Sequence, residues 1–124
     1  MLLVVGTEGP MMHYKPPVPV QGTAAGTQPG AVLRDHPVRF ENVEGRGAMM
    51  RIQIIYRNPD QVARYAKLRV NGQVATVIAF PPSGKNGPGM VWIQAKLDRS
   101  GAENQLDLSA DCDPGPVVDS LSLQ

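Results

Sequence analysis

Apolar and polar residues alternate with a period of two over several short stretches of the chain, separated by turns rich in glycine and proline. The clearest stretch is GAMMRIQIIYRN, in which every second side chain is predicted to face a core: Met50, Ile52, Ile54 and Tyr56. Such alternation is typical of a half-buried β-strand. Further alternating stretches are AVLRD, VRFENV, MVWIQAKL, QLDLSA and VVDSLSLQ. About seven or eight short strands at this spacing predict an all-β sandwich.

The strongest local prediction is an antiparallel hairpin in the stretch KLRVNGQVATVIAF, residues 67–80. Leu68 and Val70 are expected to point inward, because they alternate with charged residues. Asn71 and Gly72 supply the two positive φ angles that a tight two-residue turn requires. The sequence therefore predicts that the chain reverses direction at Asn71-Gly72.

The segments between the strands are predicted as loops and turns, because they are rich in glycine, proline, asparagine and aspartate. They are NPDQVARY, which we expect to form a loop rather than a helical turn, the long loop PPSGKNGPG, and the turns DRSGAEN and DCDPGP. In the strand VRFENV, alternation places Val38, Phe40 and Asn42 on one face. The same alternation places Val43 on the opposite face.

Length and composition indicate one folded domain. The chain has 124 residues, which is enough for one core and too few for two. Residues 1–30 contain five of the twelve prolines and show no sustained period. We predict that they form a linker or an irregular N-terminal segment with room for a first strand. The β-sandwich is expected over residues 31–124.

Charge and motif content argue against several functional classes. Twelve Lys and Arg residues face eleven Asp and Glu residues, and no basic block is present, so a nucleic-acid partner is not expected. No apolar run is long enough to span a membrane. The single cysteine, Cys112, cannot form an internal disulfide, and neither histidine has metal-ligand spacing. Because no nucleotide-binding or nucleophile motif occurs, the chain is not predicted to be an enzyme.

Five short motifs in the second part of the chain resemble carbohydrate-binding module families 6 and 35. They are YRN at 56–58, the Asn-Gly turn, PPSG at 81–84, the strand and turn WIQAKLDRSG, and the last-strand sequence Asp119-Ser120-Leu121. The resemblance runs from about Ala31 to Gln124. It implies a galactose-binding-like jelly roll of two antiparallel sheets that binds a polysaccharide or oligosaccharide without catalysis.

The same resemblance implies a context for the module. Such a module would be appended to a secreted glycoside hydrolase, and would be a monomer or tethered to the catalytic domain. An extracellular location is expected from the resemblance alone, because the N-terminal MLLVV is shorter than the apolar region of a signal peptide.

A sugar site needs an aromatic ring against the apolar face of the pyranose and a few polar groups for its hydroxyls. The resemblance places this site where the loops SGKNGPG and DCDPGP come together. Trp92 is the candidate ring, although a lone tryptophan is more often a partly covered surface residue. Lys85, Asn86 and Asp113 are the candidate polar contacts.

Three positions depart from the families. Many members carry two N-terminal glutamates that help the last-strand aspartate to bind a structural calcium; here Glu8 and Asp119 are the candidate ligands. The stretch PVVD lacks the asparagine that often contacts sugar, and KNGPGM lacks a loop tryptophan. These departures favour an alternative function, a structural or protein-interaction β-sandwich whose sugar site has decayed. A third hypothesis, a small hydrolase, needs two carboxylates about 5 to 10 Å apart in a cleft, and no motif supports it.

Overall fold

The structure, a computed structural model, describes residues 12–17, 29–34, 36–85, 87–111 and 114–124. Within these ranges the chain forms six β-strands and no helix: β1 (Met12–Tyr14), β2 (Val38–Arg57), β3 (Arg64–Val70), β4 (Gln73–Phe80), β5 (Gly89–Ser109) and β6 (Val117–Leu123). The all-β prediction is confirmed. The described residues include no helix that is long and apolar enough to cross a membrane.

The strands form one antiparallel sheet in the order β1-β6-β2-β5-β3-β4. The long strands β2 and β5 pair along nearly their whole length, with register shifts that mark bulges between residues 40 and 48 of β2. These bulges divide the sheet into two parts. The front half-sheet contains β1, β6, residues 48–57 and residues 89–97. The back half-sheet contains residues 38–46, residues 100–109, β3 and β4.

The bulges correct two expectations from the sequence. The prediction that DRSGAEN forms a turn is wrong, because this segment stays paired with β2 and only shifts its register. The sequence predicts separate strands for VRFENV and GAMMRIQIIYRN, and for MVWIQAKL and QLDLSA. In the structure each of these pairs forms one continuous strand, β2 and β5, so the described residues contain six strands and not seven or eight. The described residues of AVLRD, 31–34, form no strand, and an isolated bridge joins Ala31 to Val117.

A bulge also reverses the predicted alternation in the first part of β2. Val38 and Phe40 are buried as expected, but Asn42 has a φ of 57° and lies exposed. The extra residue shifts the pairing between Phe40 and Val43. Val43 is therefore fully buried, and the prediction that Asn42 shares the core face is wrong.

One apolar cluster contains the buried residues of both half-sheets. From the front half-sheet it includes Ile52 and Ile54, as the alternation of GAMMRIQIIYRN predicts, and Leu121 of β6. The Tyr56 ring meets the Phe80 ring of the back half-sheet edge-on, with centroids 4.9 Å apart. The two half-sheets therefore share a core.

The predicted hairpin is confirmed. β3 pairs antiparallel with β4 from Arg64–Phe80 to Val70–Gln73, and Leu68 and Val70 are buried. Asn71 and Gly72 have φ angles of 52° and 88°. Both turn residues thus occupy the left-handed region that a tight two-residue hairpin requires.

Replacing Gly72 with valine should lower the free energy of unfolding by about 1 kcal/mol or more, because a β-branched residue is strained at positive φ. A Cβ at this position would meet no atom within 4 Å, so the loss would report backbone strain and not a clash. Chemical denaturation measures it, with Gln73→Val on the adjacent strand as the control. Equal stability of the two variants would contradict the turn assignment.

Candidate functional site

Three connections meet at one end of the molecule, and we call this end the rim: residues 58–63, 81–88 and 110–116. The strand register brings them together, because Tyr56 pairs with Gly89 and Arg57 pairs with Val117. In the back half-sheet Arg64 pairs with Phe80. The described parts of the loops SGKNGPG and DCDPGP therefore lie at the same end of the sheet.

Asn58 joins two of these loops from a fully buried position. Its side-chain amide nitrogen donates hydrogen bonds to the carbonyl oxygens of Val62, at 3.0 Å, and Phe80, at 2.9 Å. Its side-chain oxygen accepts a bond from the backbone nitrogen of Asp60, and its own backbone nitrogen donates to the Ser83 hydroxyl. One side chain thus fixes the loop after β2 against the loop after β4.

Tyr56 supports the same loops. Its hydroxyl donates a hydrogen bond of 2.7 Å to the carbonyl oxygen of Pro81, and burial raises the pKa of this hydroxyl above its ordinary value. A Cβ at Gly89 would lie 2.7 Å from the Tyr56 ring, so this position requires glycine. The motifs YRN and PPSG therefore have a structural role, since they hold the rim loops in place.

The described carboxylates near the rim are paired with cations. Asp119 accepts a bond from Arg57 at 3.0 Å, and Asp60 accepts one from Arg64 at 3.0 Å. Lys67 lies 3.8 Å from Asp111. These pairs are partly or largely solvent-exposed, and such pairs contribute little to stability. They do, however, occupy the carboxylates that a metal ion or a proton-transfer reaction would need.

The candidate sugar contacts are only partly described. Trp92 lies on β5, on the face opposite the buried residues, and is 38% exposed. The Arg51 guanidinium stacks over its ring, 4.5 Å from the centroid. Trp92 follows Gly89 by three residues, about 10 Å along the strand. Lys85 is exposed in the rim loop.

Three other predicted site residues, Asn86, Asp113 and Glu8, lie outside the described residues. Whether Trp92 and Lys85 belong to one site stays a prediction, because the described contacts of Trp92 are with its own sheet.

For a structural calcium, the described residues provide a poor ligand set. Asp119 is held by Arg57, and the described part of the chain contains no group of three or more His, Cys, Asp or Glu side chains that could hold a metal ion. Calcium takes six to eight oxygen ligands. The described donors around Asp119 therefore do not fit a calcium site.

We expect calcium to change the melting temperature by only about a degree or less, since an exposed carboxylate with a competing arginine binds the ion weakly. Thermal unfolding with added calcium and with a chelator measures the effect, and Asp119→Asn serves as the control. A rise of many degrees that Asp119→Asn abolishes would contradict this expectation.

Sequence reasoning missed the role of Asn58 and the partner of Trp92. In the sequence Asn58 follows an alternating strand and precedes a proline, and this context indicates only a loop. The stacking of Arg51 on Trp92 depends on the pairing of β2 with β5, which sequence alternation does not specify. A cleft of about 180 Å³ between β1 and the start of β2 was also not expected; it is lined by Tyr14, Lys15, Pro17, Arg39, Phe40 and Glu41.

Comparisons with known proteins match most of the chain. A family model described as CBM13-like, the CBM13 domain of alpha-galactosidase, matches residues 38–121. No curated protein matches the chain. An exo-β-1,3-galactanase structure from Phanerochaete chrysosporium, with galactose, has a TM-score of 0.73 at 17% identity, covering 93% of this chain and 29% of that chain. The chain therefore spans less than a third of that enzyme.

Two further solved structures are matched over at least 90% of their own length. A family 35 carbohydrate-binding module from Cellvibrio japonicus has a TM-score of 0.70 at 18% identity, with 93% of each chain covered. A family 35 module from Clostridium thermocellum has a TM-score of 0.66 at 16% identity, with 90% of each chain covered. At these identities the structures show a shared fold.

Proposed function

The chain belongs to the CBM13-like family, and we propose that it is a non-catalytic module that binds a polysaccharide or oligosaccharide. The family match over residues 38–121 carries this proposal. The fold shared with family 35 modules confirms the resemblance that the short motifs indicate. Holding a polysaccharide beside a catalytic domain would raise the effective substrate concentration without any chemistry in the module.

We further propose that the two half-sheets form the two layers of a jelly-roll sandwich. The edge-on contact of Tyr56 with Phe80 supports this arrangement, because these residues belong to different half-sheets. The single buried cluster supports it as well, since sheets packed face to face bury the inward residues of both layers.

The domain boundaries and the parent protein are also proposals. We assign residues 31–124 to the module and residues 1–30 to an irregular N-terminal segment. Strand β1 lies within that segment and pairs with β6, so part of it adds to the sheet. Attachment to a secreted glycoside hydrolase is supported by the galactanase, whose chain includes a similar fold in under a third of its length.

The proposed sugar site comprises Trp92, Lys85, Asn86 and Asp113 at the rim and the adjoining sheet. Binding groups are usually displayed on loops that a rigid scaffold supports, and the buried Asn58 supplies such support here. Trp92 offers a large, partly exposed ring, and a pyranose would pack against the part of it that the Arg51 guanidinium leaves open.

Truncating Trp92 to alanine should weaken sugar binding by about 1 to 3 kcal/mol, the range for losing an aromatic anchor. A glycan array identifies the ligand, and calorimetry with galactose and β-1,3-galactotriose measures the affinity. Tyr65→Ala is the matched control, because Tyr65 is an exposed aromatic residue on β3 of the back half-sheet. Both variants should keep the circular-dichroism spectrum of the parent protein.

One observation favours the alternative, a structural or protein-interaction module. Exposed apolar side chains gather along β3, β4 and the preceding loop: Val62, Tyr65, Val74 and Val77. Their exposed fractions lie between 54% and 66%, and exposed apolar surface can mark protein contacts. If the protein binds no plant, fungal or bacterial glycan on the array, that result would contradict sugar binding and favour this alternative.

A further inference from the structure

Strand β4 lies at one edge of the sheet. Among the described residues it pairs with β3 alone, because the strand order is β1-β6-β2-β5-β3-β4. Its other side therefore presents backbone N–H and C=O groups with which no described strand pairs. The edge of a sheet in this state is a template on which another strand can add.

The β4 edge has few of the features that usually prevent such pairing. Its sequence, QVATVIAF, contains no charged residue and no proline, whereas natural edge strands are commonly protected by lysine, proline, bulges or short length. One bulge is present, between the pairs Leu68–Thr76 and Arg69–Val74. It lies near the turn and leaves residues 76–80 in regular pairing with β3. At about 3.3 Å per residue, this open part of the edge is about 17 Å long.

The side chains that border this edge on the solvent side are apolar. Val77 and Ala79 point outward, because the alternating residues Ile78 and Phe80 are buried in the core. Val77 is 54% exposed, and the neighbouring Tyr65 of β3 is 57% exposed. The edge and its outer border thus offer apolar surface beside unpaired backbone groups.

The cations of β3 do not guard the edge. Lys67 lies 3.8 Å from Asp111, and the Arg69 guanidinium donates a hydrogen bond of 3.1 Å to the Ser109 hydroxyl. Ser109 belongs to β5 and Asp111 follows it, so both cations are directed to the β5 side of β3 and away from β4. An uncharged edge selects no oppositely charged partner, but it tolerates an identical copy, since like charges do not meet.

We propose that β4 pairs antiparallel with β4 of a second copy of this chain, so that the two back half-sheets form one continuous sheet. A two-fold register centred on Ile78 uses the regular part of the edge alone. It places Val77 opposite Ala79 of the other copy, and Thr76 opposite Phe80. No charged side chain faces another in this register.

The paired segment is short, so the dimer is weak. Pro81 and Pro82 follow β4 directly, and they end the pairing because proline has no backbone N–H. Five residues of each copy bury less than the roughly 1,600 Å² of a standard interface, which corresponds to a dissociation constant of about 10 μM to 1 mM.

The inference goes beyond the proposed function and does not depend on it. Trp92 lies in the front half-sheet, away from the β4 edge, so pairing leaves it accessible. A dimer that does bind polysaccharide can engage one chain with two modules, which raises the overall affinity.

Sedimentation of the full chain, from low micromolar to about 1 mM, tests the proposal and should show a reversible dimer. Val77→Lys places a charge on the edge and should raise the dissociation constant about tenfold or more. Met49→Lys is the matched control, because Met49 is a 60% exposed apolar residue of the front half-sheet, and it should leave the dissociation constant unchanged. Circular dichroism and thermal unfolding verify that both variants fold.

Hydrogen exchange distinguishes edge pairing from packing of the apolar faces. In the parent protein, amides of residues 76–80 should exchange more slowly as the protein concentration rises, and in Val77→Lys they should not. A protein that stays monomeric at about 1 mM overturns the inference, as does a dimer that Val77→Lys leaves intact. A dimer whose β4 amides exchange equally at every concentration also overturns it. Should Val77→Lys fail to fold, Ala79→Lys at the next exposed position of the edge decides by the same measurements.

Discussion

Replacing Asn58 with leucine is expected to lower the free energy of unfolding by about 3 to 5 kcal/mol, because each buried polar group left unpaired costs about 1 to 3 kcal/mol. Leucine has a similar volume but no polar atoms. The change would leave the carbonyl oxygens of Val62 and Phe80 and the backbone nitrogen of Asp60 without their present partner. Asp60 and Val62 belong to the rim, and Phe80 ends β4 directly before it.

Chemical denaturation measures the stability, and hydrogen exchange of the rim amides measures the local effect. Ser83→Ala removes one hydroxyl from the same contact and should cost only about 1 kcal/mol. If Asn58→Leu and Ser83→Ala lose equal stability, Asn58 does not hold the loops together. Because the rim belongs to the proposed binding site, we also expect Asn58→Leu to weaken sugar binding, although the Asn58 side chain is itself fully buried.

The parts of the fold that could be predicted from sequence are those controlled by local chemistry. Alternation from Met50 to Tyr56 identifies the core face, because side chains in a regular strand point to opposite sides in turn. Asn71 and Gly72 identify the hairpin, because few residue pairs accept two positive φ angles. These features need no knowledge of the pairing partner, and the structure confirms them.

The bulges could not be predicted from alternation. One extra residue at Asn42 reverses the parity of everything that follows until the next shift. Likewise, the glycine-containing segment DRSGAEN has the composition of a turn but is held in the sheet by β2. The pairing energy with a distant strand, which a local pattern does not contain, decided both cases.

The candidate site also has features that the sequence alone predicts and features that depend on strand pairing. Trp92 could be placed on the exposed side of its strand from alternation alone, and the structure agrees. Its contact with Arg51 and its pairing with Gln53 follow from the register of β2 against β5. The motif YRN could be recognised by resemblance, but its physical role required the contacts of Tyr56 and Asn58 with the loop after β4.

Asn104 lies at the end of the molecule opposite the rim. Replacing it with aspartate should destabilise the protein about as much as Asn58→Leu does. Asn104 is fully buried, and its amide nitrogen donates to the carbonyl oxygens of Val43, at 3.1 Å, and Arg99, at 2.7 Å. Its oxygen accepts bonds from the Arg99 backbone and from the Asn71 side chain. One amide thus connects the bulge of β2, the bend of β5 and the β3–β4 hairpin.

Aspartate keeps the size and the oxygen that accepts two hydrogen bonds, but in place of the amide nitrogen that donates two it puts a carboxylate oxygen facing two carbonyl oxygens. We expect a loss of about 3 to 4 kcal/mol at neutral pH. Burial and the carbonyl dipoles should raise the folded-state pKa of the new carboxyl above its unfolded value. The protonated form is therefore the less unfavourable one in the fold, so the deficit should shrink at low pH and grow as the pH rises through the folded-state pKa.

Denaturation of Asn104→Asp and the parent protein over a series of pH values tests both expectations. Gln73→Glu makes the same amide-to-carboxylate change at an exposed position of β4, and should alter stability by only a few tenths of a kcal/mol at any pH. A small, pH-independent loss in Asn104→Asp would show that water or a shifted backbone replaces the two donors. In that case strand pairing and not this side chain holds β5 near Arg99, and hydrogen exchange of the hairpin amides should be the same in the variant as in the parent protein.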